Sequence, residues 1–197
     1  GLLFQTSLQE KNLKANKSDR FLPSVEMTDK NENENIRFFP SAKLEWRNIL
    51  LKYSSSCIDT SDGVLSSLDQ LMRLNSVGFE FRNDWSEAIE ESSDQLFKNY
   101  NLPSWLLFAG EHGEFELLFS IPHEKAEDFL RETRQSNLNS VYLADVTDES
   151  EIKMNIYNKQ QIIDSKKIRN LAFEKEFNPQ KYLEKLMEID AELRIKS

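Results

Sequence analysis

The residues of this chain best suited to chemistry lie in one short stretch, Ile58-Asp59-Thr60-Ser61-Asp62-Gly63-Val64. It places two carboxylates and two hydroxyls within four residues, at the end of an apolar segment and the start of a helical pattern. A helix N-terminus presents backbone N–H groups and a positive dipole end, which suits an anion such as phosphate. Asp59 and Asp62 offer the hard oxygen atoms that Mg²⁺ takes from one or two carboxylates in phosphoryl transfer. Gly63 lets the backbone approach a ligand closely. The same residues also suit a purely local role: Thr60, Ser61 or Asp62 could cap the helix, and Asp-Gly is an ordinary turn dipeptide.

A second stretch, Glu111-His112-Gly113-Glu114-Phe115-Glu116-Leu117-Leu118-Phe119, sets acidic residues in front of an apolar strand pattern. The lone cysteine, Cys57, excludes an internal disulfide and fits a reducing compartment. Neither His112 nor His123 is near it in sequence, so the reading is a buried structural thiol.

These residues need elements to hold them. A helix is predicted over 44–53, with Leu44, Ile49, Leu50 and Tyr53 on one face, and Ser41 as its cap. A short strand follows over 56–59, then a helix over 63–75 burying Leu65, Leu68, Leu71, Met72 and Leu74. Val77 to Arg82 alternates as a strand, 86–99 reads as a polar helix, and Glu114 to Ile121 as an apolar strand. Glu124 to Gln135 is a helix with Ala126, Phe129 and Leu130 inward. The strands 141–146 and 151–157 are expected to pair directly through the turn 147–150. Helical pattern returns over 165–173, and Pro179 opens a final helix at the position proline favours. Strands and helices mix without a βαβ rhythm, so the fold class expected is α+β with a mixed sheet and packed helices. The three tryptophans, Trp46, Trp85 and Trp105, are expected as core or interface anchors.

Residues 1–37 are expected to be a linker or irregular arm, because the stretch 28–35 has no apolar residue. The domain proper then spans 38–178 and a terminal helix 179–197. A net charge of -9 over 197 residues opposes nucleic acid and anionic membrane as partners. No apolar run is long enough to span a membrane. With 13 Phe and 3 Trp the chain still has core material, despite a mean hydropathy of -0.61.

The segment Ile58 to Leu71 (IDTSDGVLSSLDQL) resembles the Ile-Asp-Ile-Ser-Asp-Gly-Leu signature of the thiamine-monophosphate kinases. Thr60 stands for the usual Ile and Val64 for the usual Leu. Gly113 to Phe119, followed by Ile121-Pro122, resembles the Gly-Gly-Glu-Asp-Tyr-Glu-Leu-Leu-Phe segment of that family from Glu116 onward. The resemblance runs from about Phe39 to Asn178. It implies the fold of the carboxy-terminal domain of the aminoimidazole-ribonucleotide synthetase superfamily, with an amino-terminal ATP-binding half outside this chain.

By that resemblance Asp59 and Asp62 would each hold Mg²⁺ and Ser61 would contact ATP. Ungapped alignment sets Gly113 at the family's substrate-contacting Glu and Glu114 at its Asp; a two-residue insertion makes Glu111 that Glu instead. Glu111 and Glu114 are therefore both candidate substrate residues. The family's carboxy-terminal aromatic segment is not recognisable, and Phe173 and Phe177 are expected to pack in the core. The implied reaction is transfer of the γ-phosphoryl of ATP to thiamine monophosphate, giving the diphosphate. A cytoplasmic homodimer is implied for the full-length protein, with this fragment inactive alone. Another ATP-using member of the superfamily with a different phosphate-bearing substrate, or a non-catalytic binding module, are the other readings.

Overall fold

The computed structural model describes residues 1–6, 42–110, 115–171 and 178–196. Its centre is a mixed seven-stranded sheet in the order β2-β4-β1-β5-β3-β6-β7. The strands are β1 (Leu2–Thr6), β2 (Ser56–Asp59), β3 (Gly78–Phe81), β4 (Leu117–Ile121), β5 (Ser140–Thr147), β6 (Ile152–Ile156) and β7 (Lys159–Ile162). Seven α-helices are described: α1 (Arg47–Tyr53), α2 (Val64–Asn75), α3 (Glu91–Asn99), α4 (Leu106–Ala109), α5 (Ala126–Gln135), α6 (Ser165–Leu171) and α7 (Pro179–Lys196). The α+β class with a mixed sheet is as the sequence predicts.

Side chains alternate across the sheet, as strand geometry requires, and build a core on each face. On one face Phe4, Phe119 and Ile121 meet Ile49, Leu50 and Tyr53 of α1, Phe129 of α5 and Trp46. Phe4 lies 5.0 Å from Phe129, 5.4 Å from Tyr142 and 6.0 Å from Phe119 between ring centroids, within the range of favourable aromatic packing. On the other face Leu3, Phe79, Phe81, Leu118, Leu143 and Met154 pack under α2, α4, α6 and α7. Trp105 and Phe108 are wholly buried in this second core, where Phe108 meets Phe81 and Trp85 edge-on at 5.9 and 5.7 Å between ring centroids.

Four expectations change. The first is that residues 2–6 are not an arm: β1 is a central strand, antiparallel to both β4 and β5. A five-residue run, Leu2 to Thr6, buried on both faces shows no alternation and is easily lost beside polar sequence. The second concerns the strands over 141–157, which do not pair with each other. β3 lies between them, antiparallel to β5 and parallel to β6. β6 turns instead onto β7 through Tyr157 and Asn158, both at positive φ, 57° and 59°, the conformation a tight hairpin turn needs.

Gly78 explains why β3 can enter between them: a Cβ there would lie 1.7 Å from the carbonyl oxygen of Glu149 and 2.6 Å from that of Glu151. The third change is that Leu44 and Leu74 are exposed, at 78% and 71%, rather than facing the core. Leu44 sits in a 3₁₀ turn, Leu44–Trp46, whose rotation differs from the α-helix assumed; Leu74 falls in the last turn of α2, beyond the sheet. Finally, Cys57 is exposed rather than buried, because β2 is the outermost strand on its side of the sheet.

Candidate functional site

The turn that joins β2 to α2 is where the sequence places the chemistry. Asp59 is the last residue of β2, which among the described residues pairs only with β4, so the turn emerges at the edge of the described sheet. Asp59 and Asp62 are both exposed, Thr60 is fully buried, and Ser61 is half-buried. The carboxylates therefore face outward around a buried threonine pin. Thr60 is held by the strand beside it: its N–H donates to the carbonyl of Glu116 over 2.9 Å, and the N–H of Glu116 donates to Thr60 Oγ1 over 3.1 Å.

The turn closes on itself through Gly63 N–H donating to the Thr60 carbonyl over 2.9 Å. Gly63 adopts φ 87° and ψ 156°, a conformation essentially reserved for glycine. Gly63 is the N-cap of α2, and among the described residues no side chain caps the helix. Of the two sequence readings of this turn, capping by Thr60, Ser61 or Asp62 is thus absent. Ser61 turns back instead: its hydroxyl and its N–H both donate to Asp59 Oδ1, over 2.7 and 3.2 Å. Ser67, one turn into α2, donates to the carbonyls of Asp59 and Gly63, over 2.9 Å in each case. These bonds fix the spacing between the end of β2 and the start of the helix.

The donor set fits a hard divalent cation. Asp59 and Asp62 bring carboxylate oxygens to one exposed turn, and the bonds from Ser61 fall on a single oxygen of Asp59. Among the described residues no cluster of three or more His, Cys, Asp or Glu is assembled to hold a metal. Two carboxylates with further ligands from phosphate and water match the way Mg²⁺ is held in phosphoryl-transfer sites. Although Cys57 as a residue is exposed, packing around its sulfur desolvates the thiol; that first, and then the charge of Asp59, pushes the thiol up, so it is not an activated nucleophile.

Glu111 and Glu114, the candidate substrate residues, lie outside the described residues, as do His112, Phe173 and Phe177. Two residues at the site were not singled out from sequence. Glu116, 5% exposed, follows Phe115, which takes φ 53°, a costly conformation for a bulky side chain. Lys43 lies 2.9 Å from Glu116 Oε1. Glu116 enters the sequence reading only as the first matched residue of an apolar strand motif, and nothing local pairs it with Lys43, which lies far off in sequence.

The chain matches no sequence-family model and no curated protein. Its fold is shared with the thiamine-monophosphate kinase of Stenotrophomonas maltophilia K279a at 16% identity and a TM-score of 0.51, over 59% of this chain and 36% of that one. The thiamine monophosphate kinase of Aquifex aeolicus overlays at 20% identity and a TM-score of 0.47, covering 59% of this chain and 36% of its own. The PurL protein of T. maritima, complexed with ATP, overlays at 17% identity and a TM-score of 0.46, covering 64% and 20%. This chain therefore spans about a third of the length of the Stenotrophomonas protein, and at such identity the likeness establishes fold.

Proposed function

We propose that this chain is the carboxy-terminal domain of an ATP- and Mg²⁺-dependent phosphotransferase of the thiamine-monophosphate kinase type. The observation that carries this reading is the Asp59–Gly63 turn. It presents two exposed carboxylates at a sheet edge, directly before a helix whose N-terminus no described side chain caps. The motif resemblance and the fold shared with the Stenotrophomonas kinase support it.

In this reading Asp59 and Asp62 would hold Mg²⁺, which would supply charge neutralisation on the phosphates. Ser61 orients Asp59 through its two hydrogen bonds and would contact ATP. Thr60 and Gly63 hold the two carboxylates at fixed spacing, so that the chain contributes positioning rather than covalent chemistry. Glu111 and Glu114 are proposed to meet the substrate, thiamine monophosphate. The amino-terminal half completes the metal shell and the dimer of a cytoplasmic enzyme, and the present chain alone turns over poorly. Among the described residues no helix is long and apolar enough to cross a membrane.

The test is isothermal titration of the full-length protein with a non-hydrolysable ATP analogue, with and without Mg²⁺. Metal-dependent binding that Asp59→Asn and Asp62→Asn each weaken supports the reading. Equal binding by both variants sinks it, and turnover of other monophosphates in preference to thiamine monophosphate moves the substrate elsewhere in the superfamily.

A further inference from the structure

A buried carboxylate stands beside the turn, on the neighbouring strand side rather than within it. Glu116 is 5% exposed and precedes β4. Both its carboxylate oxygens are engaged: Oε1 pairs with Lys43 Nζ at 2.9 Å, and Oε2 accepts from the hydroxyl of Thr6. Thr6 Oγ1 in turn accepts from the N–H of Leu117 over 2.9 Å. The side chains of Lys43 and Glu116 are 11% and 7% exposed, and Thr6 is 1% exposed. One carboxylate thus ties the end of β1, the chain leading into α1, and the start of β4. From the same residue, two backbone hydrogen bonds reach Thr60, which stands between Asp59 and Ser61.

We infer that Glu116, clamped by Lys43 and Thr6, is a positioning residue that sets where the Asp59–Gly63 turn sits and so the spacing of its two carboxylates. A charged pair taken out of water is rigid in effect, because displacing either member leaves the other charge buried and unpaired. With Glu116 held at both oxygens, its backbone cannot shift along the strand. Thr60, bonded to that backbone at both its N–H and its hydroxyl, cannot shift either. The functional half of this inference rests on the metal-binding reading of the turn; the geometric half does not.

The experiment takes the full-length protein, amino-terminal half included, and compares it with Glu116→Gln and Thr6→Val. Amide hydrogen exchange is followed by NMR, alongside titration with Mn²⁺ alone, read by its electron paramagnetic resonance signal. The expected result is exchange at Thr60 and Gly63 that is faster by about tenfold or more, while amides within α2 and β5 keep their rates. Mn²⁺ binding should weaken in parallel. Exchange that rises uniformly across the chain, or does not rise at the turn, overturns the positioning role. Should Glu116→Gln fail to fold, Thr6→Val, which removes a neutral partner only, decides by the same readout. Faster exchange at the turn in a chain that binds no Mn²⁺ upholds the positioning and sinks the metal reading. Unchanged exchange in a chain that binds Mn²⁺ does the reverse.

Discussion

The indole N–H of Trp105 donates to Oδ1 of Asp190 over 2.8 Å, and both residues are 1% exposed. Asp190 also accepts from the Tyr157 hydroxyl over 2.6 Å and from Arg194 Nε over 2.7 Å. α7 is therefore fastened to α4's entry and to the β6–β7 turn by one buried carboxylate, as well as by Leu186, Ile189 and Leu193. Replacing Asp190 with alanine leaves the Trp105 N–H buried without an acceptor. It should destabilise the fold by about 1–3 kcal/mol, measured by urea denaturation.

Tyr157 gives the same contact a pH signature. Burial first, and the hydrogen bond to Asp190 next, push its hydroxyl up to about 12 from an ordinary 10.0. Its folded-state value lies above the unfolded one, so its contribution is complete below pH 10 and is lost as pH rises toward 12. The wild-type chain should therefore lose stability between those values more steeply than Tyr157→Phe. Thermal melts across that range check it; parallel slopes would mean that Tyr157 titrates as in the unfolded chain.

Asp69, 2% exposed, receives Arg73 Nε at 2.8 Å, Ser165 Oγ at 3.0 Å and an Nη1 of Arg169. Burial pushes its carboxyl up, but the bonds from Arg73, Ser165 and Arg169 outweigh this and hold it below its ordinary 3.8. A depressed folded value gives stability present above 3.8 and lost as pH falls below it. Asp69→Asn should cost about 2–3 kcal/mol at neutral pH. The loss should shrink in acid below that value, where the wild type is protonated too. A cost that stays constant across the acid range would show that the charge is not what α2 and α6 share.

Gly63→Ala should destabilise the chain by about 1–3 kcal/mol, because alanine is strained at φ 87°, ψ 156°. Its effect on metal-dependent ATP-analogue binding should exceed its effect on melting temperature, since the strain falls between Asp62 and α2. Titration calorimetry beside a thermal melt separates the two, and equal losses in both would assign Gly63 to stability alone.

Phe4 stacks among Phe119, Phe129 and Tyr142 at the middle of the sheet. Phe4→Ala should cost about 3–5 kcal/mol, the range for a large buried aromatic. A loss under about 1 kcal/mol by urea denaturation would mean that β1 is dispensable.

What the sequence made legible follows from the range of the interactions involved. α2, α5 and α7 announce themselves through helical periodicity and, for α7, Pro179, because those signals lie within a few residues. The Asp59–Gly63 turn was legible for the same reason. Sheet order was not: that β3 separates β5 from β6 depends on Gly78 meeting the backbone of Glu149 and Glu151, a contact no local pattern encodes. Lys43, Thr6 and Glu116 converge from three distant stretches, so their clamp was invisible until the chain was folded. β1 was missed because a strand buried on both faces has no alternating signature, and polar sequence follows it closely.

The place of β1 has a consequence for how the molecule assembles. Its hydrogen bonds join β2 and β4 to the block formed by β5, β3, β6 and β7, so it is the seam between two half-sheets. It is joined to the rest of the domain through residues 7–41. A protease cut in that stretch would leave β1 and the rest of the sheet on different polypeptides, and folding would change from a first-order to a second-order process. The melting temperature of the nicked chain would then depend on its concentration. An uncut chain has the complementary option: two copies trading their first strands would build the same sheet twice, a dimer with no new interface chemistry.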